Sequence, residues 1–499
     1  MGNNIPKELG GLSRRDFIKV SATAGAGVLL SGSAIASGIS KLNSRKKFVQ
    51  VGVGHRARMY QQAIYTTYSD SCEMVGLCDV NLGRLKLAQS NAKKATGKVI
   101  PIFEAKDFDK MIEQTKPDVV IVTTVDGFHH KYIVRAMELG VDILTEKPLT
   151  VDDEKCQQIV DTQSKTGKKV TVAFNYRYSP VRTQVKDLLM SGLIGDILSV
   201  DFHWMLNTFH GADYFRRWHS QKKLSGGLMV HKATHHFDLV NWWLSAVPVQ
   251  VFAMGKREFY TPEMIKRFGL NNYHERCHTC PEKENCSFEL DLSKDNYLKE
   301  LYLDNEQYDG YFRDQCVFRP EIDIEDTMNV LVKYDNSVTM SYSLNAFNAW
   351  EGYYIIFNGT KGRIEHKMEE KVFPDSENKL PRALKGDGTY IRVYPIRGAG
   401  YDVDIWKGKG GHAGGDKVLL EDLFSPNKID DKYLRTADYR AGSYSCLTGI
   451  AANHSFKTGK EIQISDLVKN IGKPDFPLMP SKDVKVPMPE KNKEPKGVD

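Results

Sequence analysis

Five short apolar runs, separated by segments with helical periodicity, occupy the chain from residue 46 to residue 175. A run that is apolar throughout is typical of a strand in a parallel sheet covered by helices, because neither face of such a strand meets water. The pattern therefore predicts an α/β domain with a Rossmann fold over residues 46–175. The five runs are residues 48–51, 73–78, 118–124, 141–145 and 169–174.

The second half of the chain has a different pattern, with longer strand-like segments. Residues 197–204 and 249–254 are strand-like, and residues 329–334 and 337–342 flank the turn sequence Asp335-Asn336 as the two arms of a hairpin. This half predicts an α+β domain that is separate from the first domain.

These segments suggest the boundaries of the second domain. We predict that it covers residues 176–476 and includes a helix over residues 436–457 that returns to the first domain. Residues 477–499 are rich in Pro, Lys and Glu and have little to bury, so we expect an extended tail.

Length and composition agree with two folded domains. A chain of 499 residues normally divides into domains with separate cores, and 41% hydrophobic with 26% charged residues is ordinary for a globular protein. The absence of a long uninterrupted apolar run predicts no membrane span. A net charge of +6 without a basic block predicts no nucleic-acid partner.

Residues 1–45 predict an export signal and linker. Arg14 and Arg15 lie in the sequence SRRDFIK, which resembles a twin-arginine signal, and a weakly apolar stretch with Ala34 and Ala36 follows it. An amphipathic helix is disfavoured because residues 21–27 are small and glycine-rich. We therefore expect a periplasmic protein. Because this route carries folded proteins, we also expect a tightly held cofactor.

A glycine-rich turn follows the first predicted strand. It reads Gly52-Val53-Gly54-His55-Arg56-Ala57, in which the glycines allow the backbone to approach a pyrophosphate and Ala57 allows close packing of the next helix. The next predicted strand ends at Asp79, which can accept hydrogen bonds from the adenosine ribose and repels a 2′-phosphate. We predict NAD as the cofactor. Arg56, Arg58 and Arg84 leave NADP open as the alternative.

The strand over residues 141–145 ends in Glu146-Lys147-Pro148. Ligands of a parallel sheet collect beyond the carboxyl ends of its strands, so Lys147 is predicted to point to the place where cofactor and substrate meet. Other polar residues follow neighbouring strands at the same edge. We expect contacts to the cofactor from Thr123, Thr124, His129, Glu146, Lys147 and Asn175, and contact to the substrate from Arg177.

The order and spacing of these motifs resemble the glucose-fructose oxidoreductase, inositol dehydrogenase and MocA family, here the Gfo/Idh/MocA family. The resemblance extends over nearly all of the chain after residue 45. It implies a nicotinamide-dependent oxidoreductase of sugars or polyols, with Lys147 between nicotinamide and substrate. It also implies that the second domain is built on a large, mostly antiparallel open sheet, through which we expect a homo-oligomer.

A histidine pair in the second domain extends this comparison. His231 and His235 are four residues apart and share one face of a predicted helix. In the resembled family a catalytic histidine stands where His235 falls, and an aspartate stands where His231 falls. We predict that His235 accepts the hydroxyl proton while Lys147 binds the same oxygen. Metal ligation by both histidines and a purely structural pair stay open, and Lys232 is expected near the substrate.

A glycine-rich loop over residues 408–416 contains His412 and Asp416. One interpretation is a flexible linker. The other is a loop that closes over the substrate with His412 inside.

Four cysteines lie in a segment that we interpret as an insertion over residues 276–316. Their spacing fits a structural zinc site, and two disulfides are equally natural in an oxidising compartment. The four residues are Cys277, Cys280, Cys286 and Cys316.

The predicted activity is hydride transfer between a tightly bound nicotinamide cofactor and a secondary hydroxyl of a sugar, glycoside or polyol. One alternative is a redox-neutral glycosidase that oxidises, eliminates and reduces. A glycosidase of this kind among the family's relatives lacks the motif lysine, so Lys147 favours dehydrogenase chemistry. A non-catalytic sugar-binding scaffold is the other alternative, and the intact glycine motif, Asp79 and Lys147 disfavour it.

Overall fold

The computed structural model describes residues 45–372, 388–427, 430–486 and 488. The predicted export signal therefore lies outside the described residues, apart from Arg45. Lys46–Asp499 form one compact unit. Within the described ranges, no helix is both long and apolar enough to cross a bilayer.

The strands form two sheets. They are β1 (Lys46–Val51), β2 (Cys72–Asp79), β3 (Ile102–Glu104), β4 (Val119–Val122), β5 (Asp142–Thr145), β6 (Val170–Val172), β7 (Ile197–Asn207), β8 (Pro248–Lys256), β9 (Thr327–Tyr334), β10 (Thr339–Asn348), β11 (Trp350–Gly359), β12 (Gly362–Val372), β13 (Tyr390–Pro395), β14 (Tyr401–Asp402), β15 (Ala437–Asp438) and β16 (Ile462–Gln463).

Helices cover or connect these sheets. They are α1 (Ala57–Gln62), α2 (Leu82–Thr96), α3 (Phe108–Thr115), α4 (His129–Glu138), α5 (Asp153–Thr166), α6 (Pro180–Met190), α7 (Thr208–Arg216), α8 (Lys222–Ser225), α9 (Gly227–His231), α10 (Thr234–Leu244), α11 (Pro262–Arg267), α12 (Asn296–Leu301), α13 (Gly415–Phe424), α14 (Tyr439–Thr458) and α15 (Ile464–Leu467).

The first sheet has the strand order β15-β6-β5-β4-β1-β2-β3. Its first six strands in the chain are parallel, and β15 pairs antiparallel with β6. All four residues of β4 are buried, as expected for a strand with helices on both faces. The Rossmann fold predicted from the apolar runs is confirmed. One strand of this sheet, β15, comes from residues far beyond residue 175.

The second sheet has the order β14-β13-β12-β11-β7-β10-β9-β8-β16 and is antiparallel except for the β7–β10 pair. The predicted hairpin is present as β9 and β10, with Lys333 opposite Thr339. Burial alternates along β9, so one face packs inward and the other carries exposed side chains such as Leu331. The predicted large, mostly antiparallel sheet is confirmed.

Helix α14 connects the two sheets. It contacts β6 of the first sheet and β8 of the second, and most of its residues are buried. The helix predicted over residues 436–457 is therefore observed over Tyr439–Thr458 and packs against the first sheet, as expected.

The Cys-rich insertion has few regular elements. Arg276 pairs with Gln315 in an isolated bridge that brings the two ends of the insertion together. Its later part, residues 292–309, contains short helical turns and α12. We call residues 292–309 the strap.

Candidate active site

The strand register of the first sheet brings the predicted motifs to one edge. Val51 lies opposite Cys78 and Val122, Val122 lies opposite Thr145, and Thr145 lies opposite Val172. The residues that follow these positions therefore share the carboxyl edge of the sheet, where an open α/β sheet binds its ligands. They are Gly52, Asp79, Thr123, Glu146 and Ala173.

The glycine-rich turn has the geometry of a phosphate-binding loop. Gly52 has φ +87°, and a Cβ at this position would lie 2.6 Å from the backbone of Thr123. Only glycine fits there, because the position is both left-handed and in close contact with another strand end. The predicted role of Ala57 is consistent with its burial at the start of α1.

Asp79 is held at the place expected for a ribose acceptor. Its Oδ2 accepts a hydrogen bond from Val53 N–H at 2.7 Å, and its Oδ1 accepts one from Asn81 N–H at 2.8 Å. The Arg84 guanidinium lies 3.6 Å from Asp79 and also pairs with Asp309 of the strap. Arg84 is therefore neutralised by two carboxylates, which disfavours a 2′-phosphate at this position.

The strap lies over the glycine-rich turn. Tyr302 Oη accepts a hydrogen bond from His55 N–H at 3.3 Å, and the Tyr297 ring lies 5.4 Å from the His55 ring. Asn81 Nδ2 donates to Asn305 O at 2.8 Å. These contacts were not predictable from the sequence, because the strap is more than two hundred residues away in the chain.

Lys147 contacts His231, and His231 contacts an aspartate from the first domain. Lys147 Nζ lies 3.1 Å from His231 O and 3.4 Å from His231 Nε2, while His231 Nδ1 lies 2.5 Å from Oδ2 of Asp126. Asp126 was missed in the sequence. The available signal was its place in the loop after β4, between Thr123 and His129, at the same sheet edge.

Burial decides the protonation of these three groups. It raises the pKa of Asp126, although the charge of Lys147 opposes this effect. Burial, and after it the charge of Lys147, lowers the pKa of His231. Burial also lowers the pKa of Lys147 to about 8, against the attraction of Asp126 and Glu146. Burial therefore disfavours the charged form of all three groups.

His235 and Lys232 pack against the aromatic rings of Tyr176 and Trp204, near Lys147 and His231. The His235 ring stacks on Tyr176 with 4.3 Å between centroids, and its buried Nδ1 has no hydrogen-bond partner within the described ranges. Lys232 Nζ lies 4.4 Å from the Trp204 ring centroid and 3.7 Å from Glu351. Burial, then the charges of Lys147 and Lys232, lower the pKa of His235, so its imidazole is neutral.

The glycine-rich loop over residues 408–416 lies at the site. His412 Nδ1 lies 2.8 Å from Oδ2 of Asp416, and the His412 ring lies 5.7 Å from Tyr176. Asn175 Nδ2 donates to Asp416 Oδ1 at 2.7 Å. His412 has φ +51°, which is uncommon for a residue other than glycine and recurs at functional sites. These contacts favour the interpretation that the loop closes over the substrate. They disfavour the interpretation that it is a flexible linker.

Glu146 anchors this edge of the sheet. Its Oε1 accepts hydrogen bonds from Arg56 Nε and Tyr60 Oη, both at 2.6 Å. Although burial opposes ionisation, the charge of Arg56 and the hydrogen bond from Tyr60 lower the pKa of Glu146. Arg56 is therefore paired with Glu146 and lies 3.8 Å from Asp416. Glu146 also holds the backbone at Lys147, because its Oε2 accepts a hydrogen bond from Lys147 N–H at 3.3 Å.

Protein groups occupy two side chains that were predicted to contact ligands. Arg177 is 1% exposed, and its guanidinium makes a bidentate ion pair with Asp238 at 2.6 and 2.7 Å, so it is not free to bind substrate. His129 is also 1% exposed, and its ring nitrogens lie 2.8 Å from Pro148 O and 3.1 Å from Thr124 O. His129 therefore positions two loops of the site, and its contact with a cofactor stays a prediction.

The four cysteines of the insertion lie around one small cavity of about 30 Å³. None of them forms a disulfide. In the described part of the chain, no group of three or more His, Cys, Asp or Glu side chains has an arrangement that holds a metal ion. That finding gives no support to metal ligation by His231 and His235. Zinc and disulfides in the insertion both stay predictions.

Comparison with known proteins identifies the domains. Residues 46–174 match the NAD-binding Rossmann fold of the GFO_IDH_MocA oxidoreductase family, and residues 186–464 match its C-terminal alpha/beta domain. The protein YteT of Bacillus subtilis (strain 168), named as an oxidoreductase, is 36% identical over 430 residues, which cover 85% of this chain and 98% of YteT.

Other relatives match a shorter part of this chain. Glycosyl hydrolase family 109 protein 1 of Akkermansia muciniphila is 32% identical over 152 residues, which cover 30% of this chain and 31% of that protein. The D-glucoside 3-dehydrogenase of Escherichia coli (strain K12) is 30% identical over 147 residues, 30% of this chain and 40% of the enzyme.

Solved structures share the fold. An oxidoreductase from Agrobacterium radiobacter, solved with NAD+, L-tartaric acid and magnesium, aligns with a TM-score of 0.55 at 16% identity. The alignment covers 85% of this chain and 100% of that one. With the two matched domains and the extended similarity to YteT, these findings show that the chain belongs to the Gfo/Idh/MocA family of oxidoreductases.

Proposed function

We propose that the protein oxidises a secondary hydroxyl of a sugar, glycoside or polyol with NAD that stays bound between turnovers and is reoxidised in place, by the carbonyl group of a second sugar or by another electron acceptor. The contact between Lys147 and His231 carries this proposal, because it places a lysine with a lowered pKa beside a proton acceptor at the carboxyl edge of the sheet. The name of the related D-glucoside 3-dehydrogenase supports the same substrate class.

The described residues fit a dinucleotide. The turn at Gly52 and Gly54 would hold the pyrophosphate, and Asp79 would hold the adenosine ribose, since its oxygens are fixed by two backbone N–H groups. When bound, the nicotinamide supplies the hydride acceptor. The neutralised Arg84 supports NAD over NADP, and the strap supports slow release.

The side chains around Lys147 can move the hydroxyl proton. Lys147 Nζ binds the substrate oxygen in the proposed reaction and takes its proton when the amine is neutral. His231 Nε2, 3.4 Å away, is the next acceptor, and Asp126 fixes the imidazole through Nδ1. The role of His235 as the first acceptor stays a prediction.

Polar side chains near Lys147 are suited to a carbohydrate. His235, Lys232 and His412 offer polar atoms to hydroxyls, while the buried rings of Tyr176 and Trp204 support His235 and Lys232 from behind. The orphan Nδ1 of His235 is a specific site for one substrate hydroxyl.

A direct experiment tests the function. The purified protein, as isolated, is mixed with a panel of aldoses, methyl glycosides and inositols, and the reduced-nicotinamide absorbance is followed. A substrate produces a stoichiometric rise without added NAD. If no member of the panel changes the absorbance while NAD is present in the protein, the sugar assignment is wrong.

Similarity to a glycosyl hydrolase family 109 protein supports a second candidate, a redox-neutral glycosidase. Product analysis after incubation with methyl glycosides distinguishes the two. A dehydrogenase gives a keto glycoside with the linkage intact, whereas the glycosidase gives free sugar and no net reduction of the cofactor.

Export and assembly extend the proposal. We infer export by the twin-arginine route from Arg14 and Arg15, and fractionation of cells that express an Arg14→Lys, Arg15→Lys double variant tests it.

We also infer a homo-oligomer through the outer face of the second sheet. Exposed Phe252 and Met254 on β8 and Leu331 on β9 support this interface.

A further inference from the structure

A cavity of about 510 Å³ lies between the glycine-rich turn and the second domain. His55 contributes one wall, and α7 with Arg217 contributes another. Leu298 and Tyr302 of the strap and Lys371 at the end of β12 complete it. A cavity of this volume can enclose a sugar-sized molecule.

The charged side chains of this cavity are mainly basic. Asp213 lies 2.6 Å from Arg313 Nη1 and 2.9 Å from Arg217 Nη1, and Arg216 Nε is 4.0 Å away. One carboxylate cannot balance three guanidinium groups, so positive charge remains. The lining has four basic side chains against two carboxylates: Arg216, Arg217, Arg313 and Lys371 against Asp213 and Glu289.

Arg217 keeps a donor that the protein does not use. Its Nη1 is paired with Asp213, but its buried Nε has no hydrogen-bond partner within the described ranges. A buried guanidinium N–H is unfavourable unless something accepts its hydrogen bond, and the planar fork of arginine matches the two oxygens of a carboxylate or phosphate.

The cavity adjoins the proposed proton acceptor. Tyr214 on α7 packs edge-to-face against His231, with 5.4 Å between ring centroids, and Arg217 follows the same helix. Burial and then the charges of Arg217 and Arg313 lower the pKa of His55 on the opposite wall. His55 is therefore neutral and leaves the arginines as the charged partners of a ligand.

We propose that Arg217 and Arg313 bind an oxyanion of the substrate, so that the enzyme acts on acidic sugars. This inference rests on the proposed function and names its substrate class. The acidic group, a carboxylate or a phosphate ester, takes no part in the oxidation. It holds the sugar so that a hydroxyl lies at Lys147.

Matched sugars test the proposal on the protein with its cofactor bound. D-Glucose is compared with D-glucuronate and D-glucose 6-phosphate, and D-galactose with D-galacturonate. Binding is measured by calorimetry, and turnover by reduced-nicotinamide absorbance. At least one acidic sugar is expected to bind about tenfold or more tightly than its neutral partner. The acidic sugar that binds more tightly identifies carboxylate or phosphate as the bound group.

Variants locate the anion. Arg217→Gln and Arg313→Gln are each expected to weaken binding of the acid about 10- to 100-fold and to change binding of the neutral sugar by less than about threefold. Lys371→Gln removes a positive charge from the cavity without changing the ion pairs of Asp213, so it serves as the test if the arginine variants fold poorly. It is expected to weaken binding of the acidic sugar about threefold. Arg392→Gln, an exposed arginine paired with Asp402, is the control for net charge.

Three results would overturn the proposal. Equal binding of acids and neutral sugars is the first, and equal losses for both in the arginine variants is the second. In the third, the arginine variants lose bound NAD while the ratio between acid and neutral sugar stays the same, which assigns the arginines to the pyrophosphate. A failure of the proposed function looks different, because acids would then bind without any reduction of the cofactor.

Discussion

Nδ1 of His231 lies 2.5 Å from Oδ2 of Asp126, although the two residues are 105 positions apart. His231 belongs to the second domain, and Asp126 follows β4 of the first sheet. The pair fixes the imidazole that contacts Lys147, so it connects the sheet that would hold the cofactor with the wall that would hold the sugar.

The Asp126→Asn variant should therefore lose activity while keeping its cofactor. The amide cannot take a proton or stabilise a charged imidazole, so kcat should fall about 100-fold. The rate of cofactor reduction after mixing with a sugar substrate and the NAD content of the denatured protein are measured together. Asp109→Asn, which removes an exposed carboxylate paired with Arg135, is the control and should change neither quantity. A full rate for Asp126→Asn would remove the pair from the mechanism.

Lys147 predicts the pH dependence of oxidation. Burial lowers its pKa to about 8, so the neutral amine becomes the major form above that pH, whereas an ordinary lysine would still be charged. The value of kcat/KM should rise about tenfold per pH unit below that point and level off above it. Lys147→Arg should lose this rise and most of the activity, because arginine stays charged. A midpoint near the ordinary lysine pKa would contradict the assignment.

Tyr302 predicts how firmly the cofactor is retained. Its hydroxyl accepts the His55 N–H, and its ring belongs to the strap that lies over the glycine-rich turn. Tyr302→Phe should release the cofactor about fivefold faster and Tyr302→Ala about 10- to 100-fold faster. The measurement is NAD per chain after repeated gel filtration. Tyr394→Phe, at an exposed tyrosine of β13, is the control. Unchanged retention in Tyr302→Ala would show that the strap is not a clamp.

Leu331 tests the inferred assembly. Its side chain is 57% exposed on the outer face of β9, where a charge would face the second copy. Leu331→Asp should convert the oligomer to a smaller species in light scattering, without loss of bound NAD. Leu478→Asp, at a residue that is 90% exposed outside the sheet, should leave the mass unchanged. An identical mass for both variants would exclude this face as the interface.

Local patterns in the sequence predicted much of the fold and part of the site. Apolar runs identified the parallel strands, and the residues at their ends, such as Gly52 and Lys147, share one edge because parallel strands point the same way. Long-range polar pairing was not predictable. Arg177 was expected at the substrate, yet Asp238 on α10 takes its guanidinium, because a buried arginine requires a carboxylate and the sequence does not show which one is near.

The strap and the basic cavity were unpredictable for the same reason. Tyr302 and Arg313 come from an irregular segment without periodicity, and their positions depend on how the insertion folds back on the first domain. Only the ends of that segment carried a signal, in the spacing of the cysteines.

The most direct test of the account is the nucleotide content of the protein itself. The purified chain is denatured, and the supernatant is assayed for NAD and NADH. We predict about one dinucleotide per chain, mostly NAD, which a sugar substrate converts to NADH before denaturation. A protein that carries no pyridine nucleotide, and does not bind added NAD or NADP, would contradict the central claim.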